Sequence, residues 1–120
     1  MTYVKKVGQI PMTITEPFMR FFKEMIKNKT VLVDFTNCEH IGRIHPIIKE
    51  AFGFPDEYGE NWSAFRDFLF WEYPVSKVIV KGASSLPTIF YNDMNIFRET
   101  LEDMKKECES NAVAFEYEFE

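Results

Sequence analysis

The sequence predicts an α/β domain built on a short parallel sheet of about three strands, and three observations carry that prediction. Thr30-Val31-Leu32-Val33-Asp34-Phe35 is nearly unbroken in apolar residues, as strands of parallel sheets are. Ile44, Ile47, Ile48, Ala51 and Phe52 recur at i, i+3, i+4, i+7 and i+8, the stripe of a helix packed on a sheet. The full order is then strand, helix, helix, strand, helix, strand, which implies parallel pairing through right-handed crossovers.

Each element follows from local signals. In residues 1–14, Val4, Val7, Ile10, Met12 and Ile14 suggest short extended pieces interrupted at Gly8 and Pro11. Thr15 can cap a helix with Pro17 in its first turn, and Phe18, Phe21, Phe22, Met25 and Ile26 then share one side. Residues 1–29 are therefore expected to form an extension that packs on a domain spanning 30–120. Pro46 is tolerable in the 44–52 helix only if it lies in the first turn, and Gly53 ends that helix. Asn61 is a good N-cap for a second helix running from Trp62 to about Phe70, with Phe65, Phe68 and Leu69 buried. Ser63, Arg66, Asp67 and Phe70, spaced i, i+3, i+4 and i+7, are expected on its other face. Lys77-Val78-Ile79-Val80 reads as the second strand. A helix from about Asp93 to Glu109 is expected to bury Phe97, Leu101, Met104 and Cys108, with Glu99 on the opposite side, and Ala112 to Phe119 as the closing strand.

Composition narrows the functions. The 120 residues suffice for one domain with a single core, and thirteen Phe with 46% apolar residues argue against disorder. No apolar run approaches the roughly 20 residues needed to span a bilayer, and the start lacks an apolar signal core, so a cytoplasmic protein without membrane contact is expected. Cys38 and Cys108 stand in no metal-binding spacing, which favours reduced thiols. The net charge of −5 is uneven: residues 1–29 hold six basic and two acidic side chains (+4), residues 30–120 eight and seventeen (−9). An anionic body repels phosphate backbones, so direct nucleic-acid binding is not expected, whereas a basic protein would be attracted.

The segment Gly53-Phe54-Pro55-Asp56-Glu57-Tyr58-Gly59-Glu60-Asn61-Trp62 gathers carboxylates and aromatic rings at a surface turn between two helices. Phe54-Pro55-x-x-Tyr58-Gly59-Glu60-Asn61-Trp62-x-Ala64-Phe65-x-Asp67-x-Leu69 resembles the signature of the barstar family, small bacterial inhibitors of secreted ribonucleases. Glu72-Tyr73-Pro74 and Phe97-Arg98-Glu99 match further pieces in the same order, and the resemblance covers roughly Thr30 to Phe119. It implies a small three-layer barstar-like fold, a monomeric intracellular immunity protein, and a basic secreted ribonuclease or related toxin as partner. It implies no cofactor and no catalytic residue.

The family's contact surface transfers onto Asn61, Ser63, Arg66, Asp67 and Glu99, with Glu57 and Gly59 on the preceding loop. Asp67 matches the dominant acidic contact and Glu99 a supporting one. An inhibitor aimed at a cationic cleft can seat a carboxylate where the substrate's phosphate would go, since its charge-assisted hydrogen bonds to Arg are strong. Phe70 and Trp71 are the candidate aromatic anchors. Three positions depart from the family: Ser63 replaces an Asp, Arg66 a Trp, and Glu57 a Tyr. Arg66 is expected to pair loosely with Asp67 and to cancel part of the field on the binding face. Two alternatives stand beside this reading. Asp56, Glu57, Glu60 and Asp67 could serve an enzyme's metal or acid/base site, though no His or second acidic cluster clearly joins them. A non-inhibitory interaction module is the other.

Overall fold

A computed structural model describes residues 29–73 and 75–120. The expected strand pieces and helix of residues 1–28 lie outside the described residues. Three parallel strands form one sheet in the order β1-β2-β3: β1 is Thr30–Asp34, β2 Lys77–Lys81 and β3 Glu116–Phe119. Helices α1 (Ile44–Phe52) and α2 (Trp62–Asp67) lie between β1 and β2, and α3 (Tyr91–Ser110) lies between β2 and β3. The α/β class, the strand count and the parallel pairing thus agree with the sequence.

Side-chain alternation decides which face of the sheet is covered. Register pairs Val31 with Val78 and Val33 with Val80 across β1 and β2, then Val78 with Tyr117 and Val80 with Phe119 across β2 and β3. These residues face the helices, and Val33, Val78 and Val80 are wholly buried beside Ile44, Ile48, Phe65, Leu69, Phe97 and Leu101. The intervening positions face outward. Leu32 is 50% exposed, so β1 is not the uniformly buried strand that its apolar run suggested. Outward-facing Lys77 lies 3.3 Å from Glu118 and 3.9 Å from Glu116, and these carboxylates share its charge.

The helix boundaries have local causes. A 3-10 turn, Ile41–Arg43, leads into α1 and puts Pro46 in the first turn, where its missing N–H costs nothing. Gly53 ends α1 in the left-handed conformation (φ 73°), and Phe54 N–H reaches back to Lys49 O at 3.0 Å. Asp34 takes a turn role, its Oδ1 accepting from Thr36 N–H at 2.9 Å. The third helix starts two residues earlier than its pattern indicates, because a 3-10 turn at Thr88–Phe90 feeds directly into it.

The second helix departs most from expectation. Its α-helical part stops at Asp67 and a π-helical turn, Phe68–Glu72, continues it, closed by Tyr73 N–H to Phe68 O at 2.7 Å. The wider turn shifts every later residue relative to the period of about 3.6 residues that an α-helix keeps. Phe70, expected on the outer face, is instead buried, 3% exposed, although it still lies beside Arg66.

Two glycines test the backbone differently. At Gly82 (φ 78°) an added Cβ would meet Thr36 N at 2.5 Å and the Phe35 carbonyl carbon at 3.0 Å, whereas nothing lies within 4 Å of one at Gly53. Gly53→Ala should cost about 1 kcal/mol for the left-handed backbone alone, and Gly82→Ala more than about 3 kcal/mol because backbone must also move. Urea unfolding of the two variants should show that order; equal midpoints would refute it.

Candidate functional site

The segment between α1 and α2 is held from beneath by aromatic rings. Phe54 is buried, with its ring centroid 4.8 Å from Tyr58, 5.1 Å from Phe68 and 5.3 Å from Tyr73. Tyr58 is buried as well, and its hydroxyl meets His45 Nδ1 at 2.6 Å. His45 in turn lies edge-on to Trp62 at 4.5 Å, and Trp62 Nε1–H donates to Asp93 Oδ1 at 2.8 Å. A chain of contacts thus ties α1, the loop, the start of α2 and the start of α3 together.

On that platform Asn61 caps α2: its Oδ1 accepts from Ala64 N–H at 2.8 Å, and its Nδ2 donates to Gly59 O at 3.2 Å. An added Cβ at Gly59 would lie 3.3 Å from that amide, so the small residue leaves it room. The left-handed residue of the loop is Glu60 (φ 54°). Glu57, Gly59, Glu60, Asn61 and Ser63 are all exposed along this rim. Asp56 is also exposed and pairs with Lys49 Nζ at 3.0 Å.

The remaining predicted residues divide into two groups. Asp67 is half-buried at the end of α2, and Glu99 is exposed on α3. Asp67 and Trp71 each already have an interaction within the protein, and Trp71 packs partly buried against the core. Phe70 is buried and so supplies core packing where an exposed anchor was expected. Arg66 reaches across to α3: its Nη2 donates to Asp103 Oδ2 at 2.9 Å, and its guanidinium carbon stands 4.9 Å from the Phe70 ring centroid. The reason is reach. Neighbours one apart on a helix do not face each other, whereas α3 passes alongside.

A family model described as Barstar (barnase inhibitor) matches residues 28–120. The chain belongs to the barstar family. No curated protein matches it. The family region takes in every described element, from β1 to β3, and the whole of the rim and both acidic positions.

Chemically, the arrangement offers carboxylates on a stiff, capped helix and an adjoining loop. Among the described residues no group of three or more His, Cys, Asp or Glu converges to hold a metal ion, and no helix is long and apolar enough to cross a membrane. Both cysteines are free and buried, and burial pushes the Cys108 thiol up to about 12. Two structurally important contacts lie beyond what the sequence suggests. His45 and Tyr58 are thirteen residues apart, and no spacing rule connects them. Asp103 is visible in principle, since it lies four residues after Glu99 and hence on the same face of α3.

Burial, the largest influence, lowers the His45 pKa below its ordinary 6.5, while Asp93 and Glu60 pull it back upward. The unfolded chain therefore binds this proton at a higher pH than the folded one. The stability His45 contributes is complete above about pH 6.5 and is lost as pH falls through the window beneath it. Urea midpoints should drop between about pH 7.5 and about pH 5.5, and His45→Gln should reduce that drop. An unchanged drop in the variant would remove His45 from the role. Separately, Asn61→Ala should cost about 1 kcal/mol in the same assay, the value of an N-cap.

Proposed function

We propose that the chain is a protein inhibitor that blocks the active site of a basic ribonuclease or a related toxin. Membership of a family described as barnase inhibitor, with its match running from 28 to 120, is the observation that carries this reading. The site supports it with Asp67 on a short helix whose start is capped by Asn61, and with Glu99 exposed on α3. In this reading Asp67 is the central group, taking the place of a substrate phosphate among the nuclease's cations, and Glu99 supports it. Glu57, Gly59, Asn61 and Ser63 form the contacting rim, and Trp71 adds apolar area beside it.

The −9 charge of residues 30–120 would speed encounter with a cationic partner. Ser63 and Glu57, where the family signature has other side chains, would tune which nuclease fits, since specificity is a difference of affinities. Residues 30–120 are the inhibitory unit and 1–29 an extension of it. The protein would act as a monomeric immunity protein in the cytoplasm, and its two free thiols suit a reducing compartment.

The test is calorimetric titration of the full chain with barnase, paired with a ribonuclease assay. Wild-type chain should bind and inhibit, and Asp67→Ala should weaken binding by about 3 kcal/mol, the cost of leaving a buried cation unpaired. Unchanged affinity in Asp67→Ala would take that residue out of the central role. Absence of both binding and inhibition by the wild type would defeat the proposal for this nuclease.

A further inference from the structure

Arg66 immediately precedes Asp67, the carboxylate that the proposed function offers to a partner. A guanidinium free to choose would compete for that carboxylate. Its Nη2 is bound by Asp103 at 2.9 Å, and the Phe70 ring lies 4.9 Å from its guanidinium carbon. The Arg66 side chain is only 20% exposed, against 47% for Asp103. Its Nε is buried with no hydrogen-bond partner among the described residues, so the guanidinium is placed by Asp103 and the ring at the expense of one donor. Phe70 is there to receive it because it follows Arg66 by four residues, one helical turn on. Glu99 precedes Asp103 by one helical turn and Glu107 follows it by one, so three carboxylates share this side of α3.

We infer that Asp103 is a positioning residue for the inhibitory face: it holds Arg66 between α2 and α3 and so keeps that cation off Asp67 and Glu99. The inference rests on the proposed function for its purpose, and on the described geometry for its mechanism. Removing Asp103 leaves a largely buried cation without a counter-charge, and such a cation moves to another carboxylate. Asp67 and Glu99 are the neighbours whose capture would blunt the face.

The full chain is compared in two measurements. The first needs no partner: ¹⁵N NMR of the Arg66 guanidinium. A held guanidinium rotates slowly and gives separate Nη signals in the wild type, and Asp103→Asn should average them. Averaged signals in the wild type, or separate ones that survive Asp103→Asn, would overturn the inference. The second is affinity for barnase. Asp103→Asn should weaken it about tenfold, the order of one charge-assisted hydrogen bond to the nuclease that Arg66 now competes for. The double variant Arg66→Met/Asp103→Asn should recover most of that affinity, because the competing cation is gone. A purely structural role would leave the double variant as weak as Asp103→Asn or weaker, and that result, or an unchanged Asp103→Asn, would overturn the inference. Should wild-type chain not bind barnase at all, the proposed function fails for that nuclease, while the guanidinium signals still decide whether Asp103 positions Arg66.

Discussion

One buried ring holds the architecture of the candidate site. Phe65, fully buried on α2, has its centroid 5.5 Å from Phe52, 6.3 Å from Phe54, 5.8 Å from Trp62 and 5.3 Å from Phe97. Those partners belong to the end of α1, the loop, the start of α2 and the middle of α3. Edge-to-face aromatic pairs add about 0.5–1.5 kcal/mol each beyond the area they bury. The short helix α2 has only six residues, too few to be stable alone, so its orientation is a consequence of these ring contacts. Phe97 extends the same cluster to the sheet, lying 6.1 Å from Phe35 and 6.0 Å from Phe119.

Around that core the charges are sorted. Residues 30–120 carry eight basic side chains, and several are engaged internally. Lys49 pairs with Asp56, Arg66 with Asp103, and Lys77 with Glu116 and Glu118, while the Arg98 guanidinium stands 3.9 Å over the Phe119 ring. The Lys49 and Lys77 pairs are exposed and contribute little to stability. Their effect lies in what they leave: cations occupied within the fold, and acidic side chains such as Glu57, Glu60 and Glu99 at the surface. A chain with a modest net charge can in this way present a locally anionic face.

Much of the domain is legible in the order of its residues. The stripe Ile44 to Phe52, the Gly53 stop and the Asn61 cap are each readable locally, since caps and periodic faces act within a turn or two. The buried residues Phe97, Leu101, Met104 and Cys108 are readable for the same reason. Leu32 escapes this kind of reading because an apolar run does not say whether one face of a strand or both are covered. Phe70 escapes it because spacing places it beside Arg66 but does not say whether the rest of the fold covers that side of the helix.

For residues 30–120 the sequence by itself determined the three strands, the helices apart from the π-helical turn, their parallel order and the family signature around Asp67, all of which rest on short-range periodicity and fixed motif spacing. Only the tertiary structure decided where Arg66 sends its charge and what lies beneath the loop. Asp103 is thirty-seven residues from Arg66, and His45 thirteen from Tyr58. Such pairs exist because packing α1, α2 and α3 on one sheet face brings distant side chains within bonding distance, and no periodicity along the chain encodes that distance.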